Sequence, residues 1–270
     1  LARSLDLPPL LIATDQEGGQ LMAVGQGTPL PGNMALGAAR SVELARRAGE
    51  VLGREMAALG INVNYAPCVD VNINPRNPVV GTRSFGEDPA LVGDLASAVI
   101  AGIQSQGVAA TAKHFPGHGD TASDSHHGMA CLPHSLERLR AVELPPFSAA
   151  LAAGVQLVMT AHLGIPAIDG PDAPPATLSR RVIHGLLRGQ LGFEGVVVTD
   201  ASCNDPGRCF QRSGIWRRVH ALGADVVLPA EHRFRTMRLN GEVLDEWPVY
   251  RTLIEADKVI NVPVAKHHNL

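Results

Sequence analysis

Short, continuous apolar runs rich in β-branched residues alternate along the chain with longer stretches of helical period. The apolar runs predict strands at residues 10–14, 61–66, 108–112, 155–160, 196–199 and 225–228. Between them, helical spacing predicts helices near 41–59, 88–105, 135–153, 179–191 and 212–222. In the first of these, Leu44, Ala48, Val51, Leu52, Glu55 and Leu59 place apolar positions mostly three or four apart. Ser41 and Ser179 stand where helix N-caps are expected. Strands that are apolar throughout, with helices between them, imply a parallel sheet covered on both faces.

A closed barrel and an open doubly wound sheet both fit that alternation, and the polar residues separate them. Asp15, Asp70, Lys113 with His114, His162 and Asp200 each follow an apolar run. Polar groups delivered from successive strand ends to one rim are how a (β/α)8 barrel builds a site. An open sheet instead needs a glycine-rich phosphate turn after its first strand. The stretch EGGQLMAVGQG lacks that spacing. The predicted fold class is therefore α/β, a (β/α)8 TIM-like barrel. Only six strands can be counted where eight close such a barrel, so the barrel reads as incomplete at the N-terminus, with an atypical C-terminal segment.

Composition narrows the function classes. The chain has 270 residues, 45% hydrophobic and 18% charged, which supports a packed core rather than disorder. Lys and Arg number 23 against 26 Asp and Glu, a net charge of -3 that argues against a nucleic-acid partner held by bulk charge. Aromatics are 4%, so Ala, Val, Leu and Ile must build the core. Cys68, Cys131, Cys203 and Cys209 are too sparse for a disulfide scaffold and match no common zinc spacing. No apolar run approaches the ~18 residues a membrane span requires. Without an initiator Met or signal peptide, both ends read as cut.

The densest chemistry lies in Lys113-His114-Phe115-Pro116-Gly117-His118-Gly119-Asp120-Thr121-Ala122-Ser123-Asp124-Ser125-His126-His127. Its Pro and Gly content predicts a loop. Three readings stay open there: a solvated polar loop, a metal site of imidazoles and carboxylates, and acid/base chemistry. In the last, Asp124 holds and charges His126, which gives a proton to a leaving oxygen and then takes one from water. Asp200 closes the apolar strand EGVVVTD, so it reads either as a helix N-cap or as a rim carboxylate. With Asp15, Arg83, Lys113 and His114 around the same rim, Lys113 and Arg83 would keep Asp200 ionised as a nucleophile. Asp15 and the NH-rich cluster could bind sugar hydroxyls. That combination suits a glycosidase whose proton donor is a histidine rather than a second carboxylate.

The segments DQEGG (15–19), NYAPCVDVNINPRNPVVGTRSFGEDP (64–89), KHFPGHGDTASDSH (113–126), VMTAHLGIPAID (158–169), PATLS (175–179) and LGFEGVVVTD (191–200) together resemble glycoside hydrolase family 3. The resemblance covers roughly 1–200 and is nearest to the β-N-acetylhexosaminidase branch. It implies a barrel and retaining hydrolysis through a glycosyl-enzyme, with Asp200 as nucleophile and His126 as acid/base partnered by Asp124. Asp15, Arg83, Lys113 and His114 correspond to sugar-binding residues. No cofactor or metal is implied; the expected partner is a carbohydrate, a terminal N-acetyl-β-glucosaminide or another β-glycoside. The expected location is the cytoplasm. Phosphate in place of water as acceptor stays open, and the alternatives are a truncated, inactive sugar-binding barrel fragment or a metal-dependent hydrolase using the His-rich loop. Where the family often continues its EGG motif with arginines, this chain has Gln20-Leu21-Met22-Ala23, a difference that bears on the substrate's attached groups. From Ala201 onward the chain departs from the family and resembles an uncharacterised one, domain-of-unknown-function family 362. Residues 201–270 therefore read as a separate, joined segment.

Overall fold

The computed structural model describes residues 11–122 and 130–200, with Arg217, His220, Ala221 and the strands Phe234–Arg238 and Glu246–Tyr250. In chain order these comprise β1 (Ala13–Thr14), β2 (Gln16–Gly18), β3 (Leu21–Met22), α1 (Asn33–Ala39), α2 (Val42–Ala58), β4 (Val63–Asn64), α3 (Pro89–Gln104) and β5 (Ala109–Phe115). There follow β6 (Ala130–Cys131), α4 (Leu136–Arg138), α5 (Leu144–Ala152), β7 (Leu157–Thr160), β8 (Leu163–Gly164), α6 (Pro166–Asp169), β9 (Val196–Thr199), β10 (Phe234–Arg238) and β11 (Glu246–Tyr250). The predicted strand at 225–228 and most of the predicted helix at 212–222 lie outside the described residues. So does most of the C-terminal segment, of which β10 and β11 form an antiparallel pair.

Among the described residues, five strands make the central sheet in the order β1-β4-β5-β7-β9, every pair parallel. Each strand is added beside its predecessor, and the order never reverses. A doubly wound sheet must reverse at its switch point, so this progression is that of a (β/α) barrel.

Alternation along the strands sends side chains to both faces. On β7, Leu157 and Met159 join Ala13, Val63, Tyr65 and Val198 in a layer on one face, while Val158 packs into the larger core under the helices. That larger core holds Leu95, Val99, Ile100, Phe115 and Phe147.

The helices form for reasons local to the chain. Ser41 Oγ accepts the Leu44 N–H at 3.2 Å to start α2, and Asp88 accepts Ala90 N–H with Pro89 in the first turn of α3. α2 buries Ala45, Ala48, Gly49, Leu52, Gly53 and Met56. The stripe is therefore rotated from the predicted one, because Leu44 and Leu59 stay exposed. Its glycines let α3 approach closely: a Cβ on Gly49 would sit 2.3 Å from Val99 O, and one on Gly102 2.2 Å from Arg46 O.

The predicted helix at 135–153 is interrupted. Leu139–Glu143 widens into a π-helical turn between α4 and α5. Pro145 and Pro146, which have no N–H to donate, follow at once and account for the slack in the ladder. Arg181–Gln190 is likewise π-helical, with Ser179 Oγ accepting the Val182 N–H at 3.0 Å at its start.

Candidate active site

The parallel strands bring their C-terminal ends to one rim, and five chemically loaded segments meet there. Asp15 follows β1; Lys113 and His114 lie inside the last turn of pleat of β5; His162 follows β7 and Asp200 follows β9. Asp70 reaches the same place from the loop after β4, where Cys68 bridges to Lys113 as a sheet partner and Val69 N–H donates to Lys113 O. All are buried except His162, which is partly so.

At the centre is a ring of paired charge. Lys113 Nζ contacts Asp15 Oδ1 at 2.7 Å and Glu17 Oε1 at 2.5 Å. Arg83 closes on the same Glu17, with Nη2 donating to Oε1 at 2.7 Å and Nε to Oε2 at 3.0 Å. Two carboxylates thus balance two cations. Burial alone would push the Glu17 carboxyl up, but Arg83 and Lys113 hold it far below the usual carboxylate range. Burial likewise opposes the charge on Lys113, yet Asp15 and Glu17 raise its ammonium above the ordinary lysine value.

Arg83 Nη2 also meets His114 Nε2 at 3.2 Å, and His114 Nδ1 meets Asp70 Oδ2 at 2.7 Å. A guanidinium can only donate, so Nε2 is the acceptor and the Nδ1–H donates to Asp70. Asp70 also accepts the His118 N–H at 2.6 Å, the His114 N–H at 3.2 Å and the Cys68 thiol at 3.1 Å. Burial works against its charge, but His114, His118 and these donors bring the Asp70 carboxyl down to about 2. His118 goes the other way: burial pushes its imidazole down, against the attraction of Asp70.

Counting donors shows what the cluster leaves for a ligand. Arg83 has five N–H groups; Glu17 takes two, His114 one and Val79 O one, leaving one on Nη1. Lys113 keeps one ammonium proton after Asp15 and Glu17. Asp15 Oδ2 is buried and, among the described residues, accepts nothing. One unmet acceptor and two unmet donors beside it are the complement of sugar hydroxyls, which both donate and accept. His114, by contrast, has both ring nitrogens engaged. It meets a ligand only by exchanging Arg83 for it.

Asp200 is held through its backbone. Its N–H donates to Thr160 O at 3.1 Å, and His162 Nε2 donates to its carbonyl at 2.6 Å. His162 is steadied in turn by Thr177, whose hydroxyl lies 3.0 Å from Nδ1. The short contacts of Lys113 and Arg83 go to Asp15 and Glu17. The residue in the ring that sequence reading passed over is Glu17. Two positions after Asp15 in an extended segment, it shares that side chain's face, and the period of two was the available signal. Asp70 was visible as a strand-end group but not as the anchor of His114. Asp124 and His126 lie outside the described residues.

Among the described residues, two groups bring three metal-ligating atoms within 4.8 Å of one another: Cys68, Asp70 and His114, and Asp120, His134 and Glu143. In the first, Asp70's oxygens already accept four donors. In the second, the Arg138 guanidinium holds both Glu143 oxygens, at 2.7 and 2.8 Å, and so supplies the positive charge itself. Beside the ring, on the α1 side, a cavity of about 410 Å³ is lined by Gly19, Gln20, Met34, Ala38, Thr82 and Arg83 among others.

Comparison with known proteins agrees with this geometry. The family profile for the glycosyl hydrolase family 3 N terminal domain matches residues 3–259. Beta-hexosaminidase A of Pseudoalteromonas piscicida is 41% identical over 208 residues, covering 72% of this chain and 35% of that protein. Beta-hexosaminidase of Stenotrophomonas maltophilia (strain K279a) is 41% identical over 232 residues, covering 82% of this chain and 67% of that protein. Among solved structures, a glycoside hydrolase family 3 beta-N-acetylglucosaminidase from Paenibacillus sp. FPU-7 superposes with a TM-score of 0.75 at 50% identity, over 84% of this chain and 43% of its own. The chain thus spans between about a third and two thirds of these relatives.

Proposed function

The chain belongs to glycosyl hydrolase family 3, and on that premise we propose that it carries the glycone site and nucleophile of a retaining β-N-acetylhexosaminidase. Asp200 attacks the anomeric carbon, the glycosidic C–O bond breaks, and His126, oriented by Asp124, protonates the departing oxygen. His126 then takes a proton from water as that water displaces the Asp200 carboxylate, regenerating the enzyme. Asp15, Arg83 and Lys113 hold the sugar's hydroxyls, and His114 joins them through Arg83. All these residues fall within 1–200, which we assign as the catalytic portion. Among the described residues no helix is long and apolar enough to cross a membrane; the cytoplasm is the proposed location.

The observation that carries the reading is the buried Asp15 Oδ2, unpartnered among the described residues, in the same charged cluster as one spare proton on Lys113 and one on Arg83. A buried polar atom left unmatched costs stability, and here a hydroxyl of the ligand would match it. The ring is also charge-balanced, which suits an uncharged polyol better than an anion. An anion-binding pocket would show excess cation.

The test is nitrophenol release from p-nitrophenyl N-acetyl-β-glucosaminide by the whole protein. Asp200→Ala should abolish release, and azide should restore it by forming the glycosyl azide. Folded Asp200→Ala protein that turns over like wild type would overturn the assignment. Adding phosphate decides the acceptor, since phosphorolysis yields the sugar 1-phosphate and hydrolysis the free sugar.

A further inference from the structure

We propose that Glu17 is a positioning residue of the glycone site, setting which protons of Arg83 and Lys113 remain to meet the sugar. The proposal rests on the reading that these two cations hold the glycone. In that reading Glu17 acts through the two cations rather than on the sugar itself. Its carboxylate is instead the shared counter-ion of both cations: Oε1 takes Lys113 Nζ at 2.5 Å and Arg83 Nη2 at 2.7 Å, and Oε2 takes Arg83 Nε at 3.0 Å. The side chain is 2% exposed, so water cannot replace these contacts.

Three consequences follow from that placement. The two-point grip on Nε and Nη2 fixes the plane of the guanidinium, because the fork admits a carboxylate in one orientation. With the plane fixed, the remaining Nη1 proton has one direction. The contact with Lys113 likewise leaves its ammonium a single spare proton beside Asp15. Finally, Glu17 keeps two cations compatible in a buried space where they would otherwise repel.

Glu17→Gln tests each point. Its amide oxygen can still accept from Lys113 and Arg83 Nη2, but its NH₂ then faces Arg83 Nε–H, donor against donor. The ring also gains a net positive charge. Because hydrogen bonds to charged groups are the strong ones, kcat/KM on the aryl N-acetyl-β-glucosaminide should fall by about 30-fold. The loss should be specific to the hydroxyls that Arg83 and Lys113 meet. Measured on the 3-deoxy, 4-deoxy and 6-deoxy analogues, the wild-type to variant ratio should collapse toward about one for at least one analogue, as interacting sites do in a double-perturbation cycle.

Glu17→Asp is the second variant and covers the case in which Gln fails to fold. It preserves the charge balance but, one methylene shorter, cannot reach both cations, so an intermediate loss with the same analogue dependence is expected. An equal loss on parent and all deoxy substrates would show a merely structural role and overturn the proposal. So would Glu17→Asp behaving as wild type. Isothermal calorimetry with N-acetylglucosamine separates the two levels. Wild type that neither binds the sugar nor cleaves the substrate overturns the glycosidase reading and this inference with it; wild type that does so, while Glu17→Asp binds equally well, overturns this inference alone.

Discussion

Replacing Lys113 by Met is the sharpest probe of the charge ring. Met has nearly the length of the lysine stem, so the change removes an ammonium without opening a large void. Lys113 is 1% exposed and sits between Asp15 Oδ1 at 2.7 Å and Glu17 Oε1 at 2.5 Å. Without it Glu17 keeps Arg83, but Asp15 retains no cation. Removing one partner of a buried ion pair costs about 3–5 kcal/mol, most of it the uncompensated charge left behind. Against a total stability of about 5–15 kcal/mol, that is a large share. In urea, with a slope near 2–3 kcal/mol/M, the midpoint should fall by about 1–2 M. Adding Asp15→Asn restores the balance of one anion against one cation, so the double variant should recover about 1–3 kcal/mol relative to strict additivity. The Glu17 carboxyl is held below its unfolded value of 4.5, so its contribution is present above that pH and is lost as pH falls toward the folded value. The gap between wild type and Lys113→Met should therefore narrow below pH 4.5. A loss under about 1 kcal/mol, or a double variant whose effects simply add, would show that the ring is not a coupled unit.

Asp70 supplies a second acid-sensitive contribution. Its carboxyl lies at about 2 rather than 3.8, so it stabilises the fold above pH 3.8 and stops doing so as pH falls toward 2, an effect of about 2 kcal/mol. The stability gap between wild type and Asp70→Asn, read by urea titration at pH 5 and pH 2.5, should shrink over that window; a constant gap would contradict it. Glycine substitutions test the packing. Ala is normally favoured over Gly in a helix by about 1 kcal/mol, and Gly185→Ala, with nothing within 4 Å of the added Cβ, should raise the thermal midpoint. Gly37→Ala should lower it by the equivalent of about 1–3 kcal/mol, since its Cβ would fall 1.7 Å from Phe85 O.

Much of the fold was legible because its signals are local. Every predicted strand within the described residues is present, since a β-branched apolar run covered on both faces has few alternatives. Ser41 and Ser179 cap as expected, each through a contact three residues long. The helix at 135–153 is broken in a way period-counting misses: Leu139, Leu144 and Phe147 keep the apolar spacing while Pro145 and Pro146 disturb the hydrogen bonds beneath it. Leu44 and Leu59 show the converse, apolar residues in phase that α3 leaves uncovered because Gly49, Gly53 and Gly102 set where the two helices touch. At the site, Asp15, Lys113, His114 and Asp200 were visible because each ends a strand. The pairings were not, because they join positions far apart: 98 residues separate Lys113 from Asp15, and 66 separate Arg83 from Glu17.

Those pairings bear on Asp200, the proposed nucleophile. Had Lys113 and Arg83 been uncompensated, the nearest anion would have been drawn into a salt bridge, and a carboxylate so engaged has less electron density to give a carbon centre. Glu17 and Asp15 answer both cations within the ring. His162 grips the Asp200 carbonyl, and Thr160 accepts its N–H; both contacts fix the backbone. The Asp200 charge is nonetheless felt at His118, where it works against the burial that favours the neutral ring. In the proposed reaction the charge-balanced ring meets the sugar's hydroxyls, and Asp200, its main chain held by His162 and Thr160, meets the anomeric carbon, where positive charge develops as the glycosidic bond lengthens.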